Sequence, residues 1–275
     1  CGNDFSHGRI HHFIMHNEVD MGYSWTNMGS PTMETYVDTY VNSMRIAYNI
    51  VRQYDQNAEI FGSFAHSWAV ANDAKSYVVK DMLDRINGYS HTEGDFRWAL
   101  AYHSYPSSLI DPKTWNDAQA TFDMDSPMVT FKNLEVLDAW IKQPRALYQG
   151  KIKRTVFLSE QNPNSKDYSE EALREQAAGM AYAMKKLEAC DGIDAYQMHG
   201  WFDQRAEGGL RIGVRRFMDD ETDPGGRKPA WFVFQAFGTD REDEVFEFAK
   251  DIIGIDDWDQ VIYKAPIPMR PELND

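Results

Sequence analysis

With 275 residues, the chain can bury one large core or two small ones. Its net charge of −15 speaks against a nucleic-acid partner, because phosphate binding needs clustered Lys and Arg, and it disfavours anionic membrane surfaces too. Nothing in it reads as a membrane-inserted span of roughly 18 apolar residues, and two cysteines as far apart as Cys1 and Cys190 imply no disulfide framework.

Strand and helix signals alternate along the chain. Residues 9–17 read as a strand, and 32–54 as a helix with Tyr36, Val37, Tyr40, Val41, Met44, Ala47, Tyr48 and Val51 on its apolar stripe. A short strand follows over 59–64, a helix over 73–87 and a strand over 96–103. The next helix, 132–141, has Thr130 as its cap and stops before Pro144. A strand over 153–159 leads to a long helix, 169–190, with Ser169 as cap and acids in its first turn. The last pair is a strand over 193–200 and a helix over 229–237, opened by Pro229 and closed by Gly238. Beyond residue 240 lies an acidic extension with a Pro-rich end, read as packing on the outside or trailing.

Such alternation implies an α/β fold with a parallel sheet, either doubly wound or closed into a barrel. Helix-to-strand connections are short, as at 55–58 and 149–151. Strand-to-helix connections are long: 19–31, 104–129 and 201–228. Long loops after the strand C-termini are where a (β/α)8 TIM barrel builds its site, and no glycine-rich phosphate turn follows any strand. The expectation is therefore a barrel. Only five of its eight units are visible, so residues 1–240 read as its C-terminal part, strands 4–8, with three units missing upstream of Cys1 and 241–275 as an extension.

Chemistry-bearing residues collect at strand ends. Asn17-Glu18 closes the apolar and histidine run 10–16, and Glu160 closes 155–159. His103-Ser104-Tyr105 ends a third run and Trp201 a fourth. Two carboxylic acids on separate strand tips are what glycosidic hydrolysis commonly needs, one as nucleophile and one as acid/base. An aromatic content of 13% with 8 Trp is high; any single Trp more often fills a core than carries a sugar ring.

In these residues the chain resembles the C-terminal part of a clan-A retaining glycoside hydrolase. That clan carries Asn-Glu after its fourth strand, Glu after its seventh, often a His-x-Tyr-like element after the sixth and a Trp after the eighth. The stretches His12-Phe13-Ile14-Met15-His16-Asn17-Glu18-Val19-Asp20 and Leu158-Ser159-Glu160-Gln161 also resemble a bacterial family of unknown function in or near that clan. The resemblance implies a cofactor-free glycosidase acting on a poly- or oligosaccharide, with Glu18 as acid/base and Glu160 as nucleophile. It implies substrate contacts from Asn17, Trp25, His66, His103, Tyr105, Gln161 and Trp201, with Asn17 on the hydroxyl next to the anomeric carbon, Tyr105 beside the nucleophile and Trp201 under the attacked sugar. By the same analogy the protein would be secreted or periplasmic. Gln161-Asn162 departs from the small residues expected after the nucleophile, which leaves the aglycone side undefined.

Blander readings stand beside these. Either glutamate could be a salt-bridged strand-end acid, and His103, Tyr105 and Trp201 could serve packing. Trp25 and Trp115 are candidate outer platforms, and Asp203 and Arg205 possible substrate contacts. A metal-dependent hydrolase could draw on His7, His11, His12, His16, His66, His103 and His199, but no His-Glu-x-x-His motif is present, and strand alternation splits His11 from His12. A glycan-binding barrel without catalysis is the remaining alternative. A chain lacking three units is expected to be inactive alone.

Overall fold

Strands with both faces covered read as near-continuous apolar runs, and the computed structural model, which describes residues 8–269, forms its sheet from such runs. β1 (His12–Met15), β2 (Glu59–Phe64), β3 (Trp98–Tyr102), β4 (Val156–Gln161) and β5 (Ala195–Met198) lie side by side in chain order, all parallel, in a curled half-barrel. Cys1 and His7 lie outside the described residues. Alternation sorts the side chains: Ile60, Phe64, Trp98, Leu100, Tyr102, Val156 and Leu158 join the main core under the helices. Phe61, Ala99, Ala101 and Phe157 form a small cluster on the other, concave face, with His12 edge-on to both Phe rings.

The helices are α1 (Gly22–Trp25, a single turn), α2 (Met33–Val51), α3 (Val79–Glu93), α4 (Leu134–Ile141), α5 (Glu170–Glu188), α6 (Pro229–Ala236) and α7 (Glu242–Ile253). In α2 the expected stripe is buried at Tyr36, Val37, Tyr40, Val41 and Met44, and Thr32 Oγ1 caps the helix by accepting from Thr35 N at 3.4 Å. Ser169 Oγ does the same for α5, accepting from Ala172 N at 3.3 Å. Thr130 caps a 3₁₀ turn ahead of α4 rather than α4 itself: its hydroxyl accepts from Lys132 N while Asn133 Oδ1 accepts from Thr130 N.

One expectation is corrected. The helix read over 73–87 lies at Val79–Glu93, because the preceding backbone is engaged elsewhere. Asp73 accepts from Lys75 N and Ser76 Oγ, Tyr77 N donates to Asp20 O, and Val79 N donates to Ser67 O. The acidic extension contains α7, whose Phe246 and Ala249 are buried against α5 and α6 in one cluster with Ala177, Met184 and Val233. The chain then returns to the main core, where Tyr263 stacks on Phe122 with ring centroids 4.4 Å apart and Ile267 is buried.

At the strand N-termini, Arg154 is fully buried. Its guanidinium donates to Asp95 Oδ1 at 2.7 Å and to the carbonyls of Ala146, Phe96 and Trp98, and it lies over the Trp98 ring. Charge and donors are thereby satisfied without water, which ties the base of β3 to that of β4.

Candidate active site

β1 leaves the sheet through an unusual turn. His16 and Glu18 both adopt positive φ, 61° and 39°, a conformation costly for residues with a Cβ. The turn is held from β2: Ser63 Oγ accepts the Glu18 backbone N–H at 3.1 Å, and Asp20 Oδ1 accepts the Ala65 N–H at 2.9 Å. The one-turn α1 then packs so closely that a Cβ on Gly22 would meet Tyr36 Oη at 2.1 Å, so only glycine fits. Glu18 is therefore placed by a strained backbone anchored to a rigid central strand.

Its carboxyl group is gripped at both oxygens. His103 Nδ1 lies 3.0 Å from Oε1, and Trp25 Nε1 donates to Oε2 at 3.0 Å. Only 8% of Glu18 is exposed, and the His103 behind it is buried. Asp20 nearby is fully buried with Oδ2 lacking a hydrogen-bond partner; burial, with the Glu18 charge adding, raises its pKa from 3.8 to about 7.

Glu160 arrives by a different device. Opposite Tyr196 and Met198 of β5, β4 places Leu158 and Gln161, so three steps on one strand match two on the other: a β-bulge. The extra residue reverses the alternation, turning Glu160 onto the cavity and Gln161 into the protein. Tyr105 Oη donates to Glu160 Oε1 at 3.3 Å. Burial, with the Glu160 charge next, pushes the Tyr105 phenol well above its ordinary pKa, so it stays a donor. His199 Nδ1 lies 3.9 Å from the same carboxylate oxygen and its Nε2 3.2 Å from Glu207.

The two glutamates meet. Oxygens of Glu18 and Glu160 and a nitrogen of His103 lie within 4.8 Å of one another, beside a cavity of about 650 Å³ beyond the strand C-termini. Among the described residues these three form the one cluster able to converge on a cation, and each already makes the hydrogen bonds described above.

Of the residues expected from sequence, Asn17, Glu18, Trp25, His66, Tyr105 and Glu160 line the cavity. His103 sits behind it, bridging Glu18 toward Glu160. Trp25 is an immediate neighbour of Glu18 rather than an outer platform. His66 is pressed into the wall with Nδ1 unpartnered, and burial lowers its pKa.

Others fall elsewhere. Gln161 is fully buried, its amide donating to Leu158 O and Gln197 O and its Oε1 accepting from Glu160 N; it fastens the bulge instead of facing substrate. Trp201, half exposed, lies beside Trp231 and Phe234 of α6 and is not among the residues lining the cavity, and Trp115 lies against Tyr182. Asp203 is buried in an ion pair with Lys228 at 2.9 Å, and Arg205 pairs with Asp219 on the surface. His11 and His12 separate as alternation requires, to Asp55 and to the concave face. Sequence reading passed over Ser63, Asp20 and Glu207. Ser63 alone carried a signal: it is a small polar residue that follows the apolar stretch Ile60-Phe61-Gly62 near the end of its strand.

The parallel half-barrel is similar in fold to part of several glycoside hydrolases. A hyperthermophilic β-glucosidase from Pyrococcus furiosus is similar at 15% identity and a TM-score of 0.52, over 89% of this chain and 57% of that one. A β-glucosidase mutant derived from a hyperthermophilic tetrameric structure is similar at 14% identity and a TM-score of 0.52, over 93% and 58%. An endo-1,4-β-xylanase of Penicillium canescens gives 11% identity and a TM-score of 0.47, over 80% and 53%. This chain thus spans little more than half the length of these three proteins. Residues 2–261 match the model of DUF5722, a family of unknown function, and the chain belongs to that family. Among curated proteins none matches.

Proposed function

We propose that this protein is a retaining O-glycoside hydrolase acting on an oligo- or polysaccharide, and that the chain supplies strands 4–8 of its (β/α)8 barrel. The observation that carries the reading is the approach of the Glu18 and Glu160 carboxylates, on separate strand ends, to within 4.8 Å at one cavity. One oxygen from each acid lies within that distance, which is compatible with the roughly 5–5.5 Å between carboxyl groups in retaining enzymes; inversion needs about 6.5–9.5 Å between the groups to admit a water.

In this reading Glu160 attacks the anomeric carbon while Glu18 protonates the departing glycosidic oxygen. Glu18 then takes a proton from water, which attacks the glycosyl–Glu160 ester and regenerates both groups. Tyr105 steadies the Glu160 carboxylate with one hydrogen bond, and Trp25 and His103 hold Glu18 in plane. Asn17, beside Glu18 on the cavity wall, is available to the sugar hydroxyl beside the reacting carbon. No step requires a cofactor.

The test is a panel of aryl and natural glycosides, run on the protein extended upstream, with Glu18→Gln and Glu160→Gln beside it. Each variant should lose at least about 10²–10⁴-fold in kcat. A 2-fluoro glycoside should leave a covalent adduct on Glu160, seen by mass spectrometry of the peptide. Full activity in either variant removes that residue from its role, and inverted product stereochemistry removes the double displacement.

A further inference from the structure

We infer that Ser63 is a positioning residue for Glu18: its hydroxyl, donating to His103 Nε2, works with the facing carboxyl groups to favour the tautomer whose Nδ1–H holds Glu18. The expected effect on turnover rests on the hydrolase reading above; the tautomer does not.

Ser63 Oγ accepts the Glu18 backbone N–H at 3.1 Å and lies 3.4 Å from His103 Nε2. A hydroxyl has a single hydrogen to give. With the N–H occupying one lone pair, that hydrogen has Nε2 in reach. A neutral imidazole that accepts at Nε2 carries its own hydrogen on Nδ1. Nδ1 faces Glu18 Oε1 at 3.0 Å and Glu160 Oε2 at 3.9 Å. The opposite tautomer would aim a lone pair at the Glu160 carboxylate, and at Glu18 whenever that acid is ionised, from a ring only 2% exposed, where repulsion is poorly screened.

The consequence reaches the reacting atoms. One serine on a fully buried strand holds Glu18 twice, by its backbone directly and by its carboxyl through His103. With Trp25 on Oε2 and His103 on Oε1, each Glu18 oxygen accepts one N–H and keeps one lone pair for the travelling proton. The same grip secures the left-handed Glu18 backbone. Asp20, His66, Tyr105 and Glu160 are other titratable groups close to this pair.

The tautomer is read directly by long-range ¹H–¹⁵N correlation on histidine-labelled protein at neutral pH, with the His103 signals assigned by their loss in His103→Gln. We expect the Nδ1–H form in the wild type and its loss or mixing in Ser63→Ala. An Nε2–H form in the wild type, or an unchanged spectrum in Ser63→Ala, overturns the inference. On a hydrolysed glycoside, Ser63→Ala should lower kcat about tenfold, as expected of one lost hydrogen bond to a charged group, with KM nearly unchanged. Ser63→Thr, which keeps the hydroxyl, should recover most of the loss. If the protein extended upstream turns over no glycoside while His103 shows the Nδ1–H form and loses it in Ser63→Ala, the hydrolase reading fails and the tautomer inference stands.

Discussion

Asp20 shows how one side chain near a site links chemistry to stability. It is sealed from water, one oxygen bound by Ala65 N and the other unpartnered, with the Glu18 charge close by. The folded protein thus binds this proton more tightly than the unfolded chain, with a pKa of about 7 against 3.8. Its contribution is fully present below pH 4 and is lost as the pH rises toward 7, at roughly 1.4 kcal/mol per unit inside that window. Denaturant titrations at several pH values should show wild type losing stability relative to Asp20→Asn between about pH 4 and pH 7. Parallel curves for the two proteins would mean that Asp20 is ionised in the fold. Such an acid is invisible in sequence, since Val19-Asp20 reads as an ordinary loop start until the β2 end closes over it.

The β4 strand and its neighbours define the scale of the element. Sequence places Glu160 at the end of an apolar run, and alternation alone would then give neighbouring residues opposite faces without saying which faces inward. The bulge against β5 decides it, and Gln161, read as a substrate contact, becomes the fastener of that bulge. At the other end of the same strand pair, Arg154 is caged by Asp95 and three carbonyls. Arg154→Ala leaves Asp95 nearly buried and without its cation, a change that typically costs about 3–5 kcal/mol. A shift of that size in the denaturation free energy is expected; a loss below about 1 kcal/mol would show that water replaces the guanidinium at no cost. The elements themselves were largely legible: the α2 stripe, the Ser169 cap and all five strands follow from periodicity and capping chemistry. The start of α3 was not, because long-range bonds from Tyr77 and Val79 to Asp20 and Ser67 compete with helix formation there.

Over the whole molecule the sheet is open. Among the described residues β1 pairs only with β2 and β5 only with β4, and Ile10, Ile14, Ile50 and Tyr54 are exposed near the β1 edge. Uncovered parallel edges and apolar side chains are unfavourable in water, and in the proposed barrel three preceding units cover them. The expectation is that a polypeptide extended by those units has a higher Tm and hydrolyses glycosides, while the 275-residue chain alone does not. Turnover by the short chain would refute the barrel-completion reading.

The sequence by itself determined the five strand segments and most of the helices, α1, α7 and the start of α3 excepted, together with the parallel order that follows from their alternation and the two strand ends that carry glutamates. These are properties of periodicity and spacing along one chain. Only the tertiary structure decided that the two carboxylates converge, that Trp25 and His103 grip Glu18, that Ser63 stands behind both, that Trp201 is not among the cavity-lining residues and that Gln161 turns away. Each of those depends on a left-handed turn, a bulge or a contact between residues distant in the chain, and local pattern does not encode which face such irregularities present.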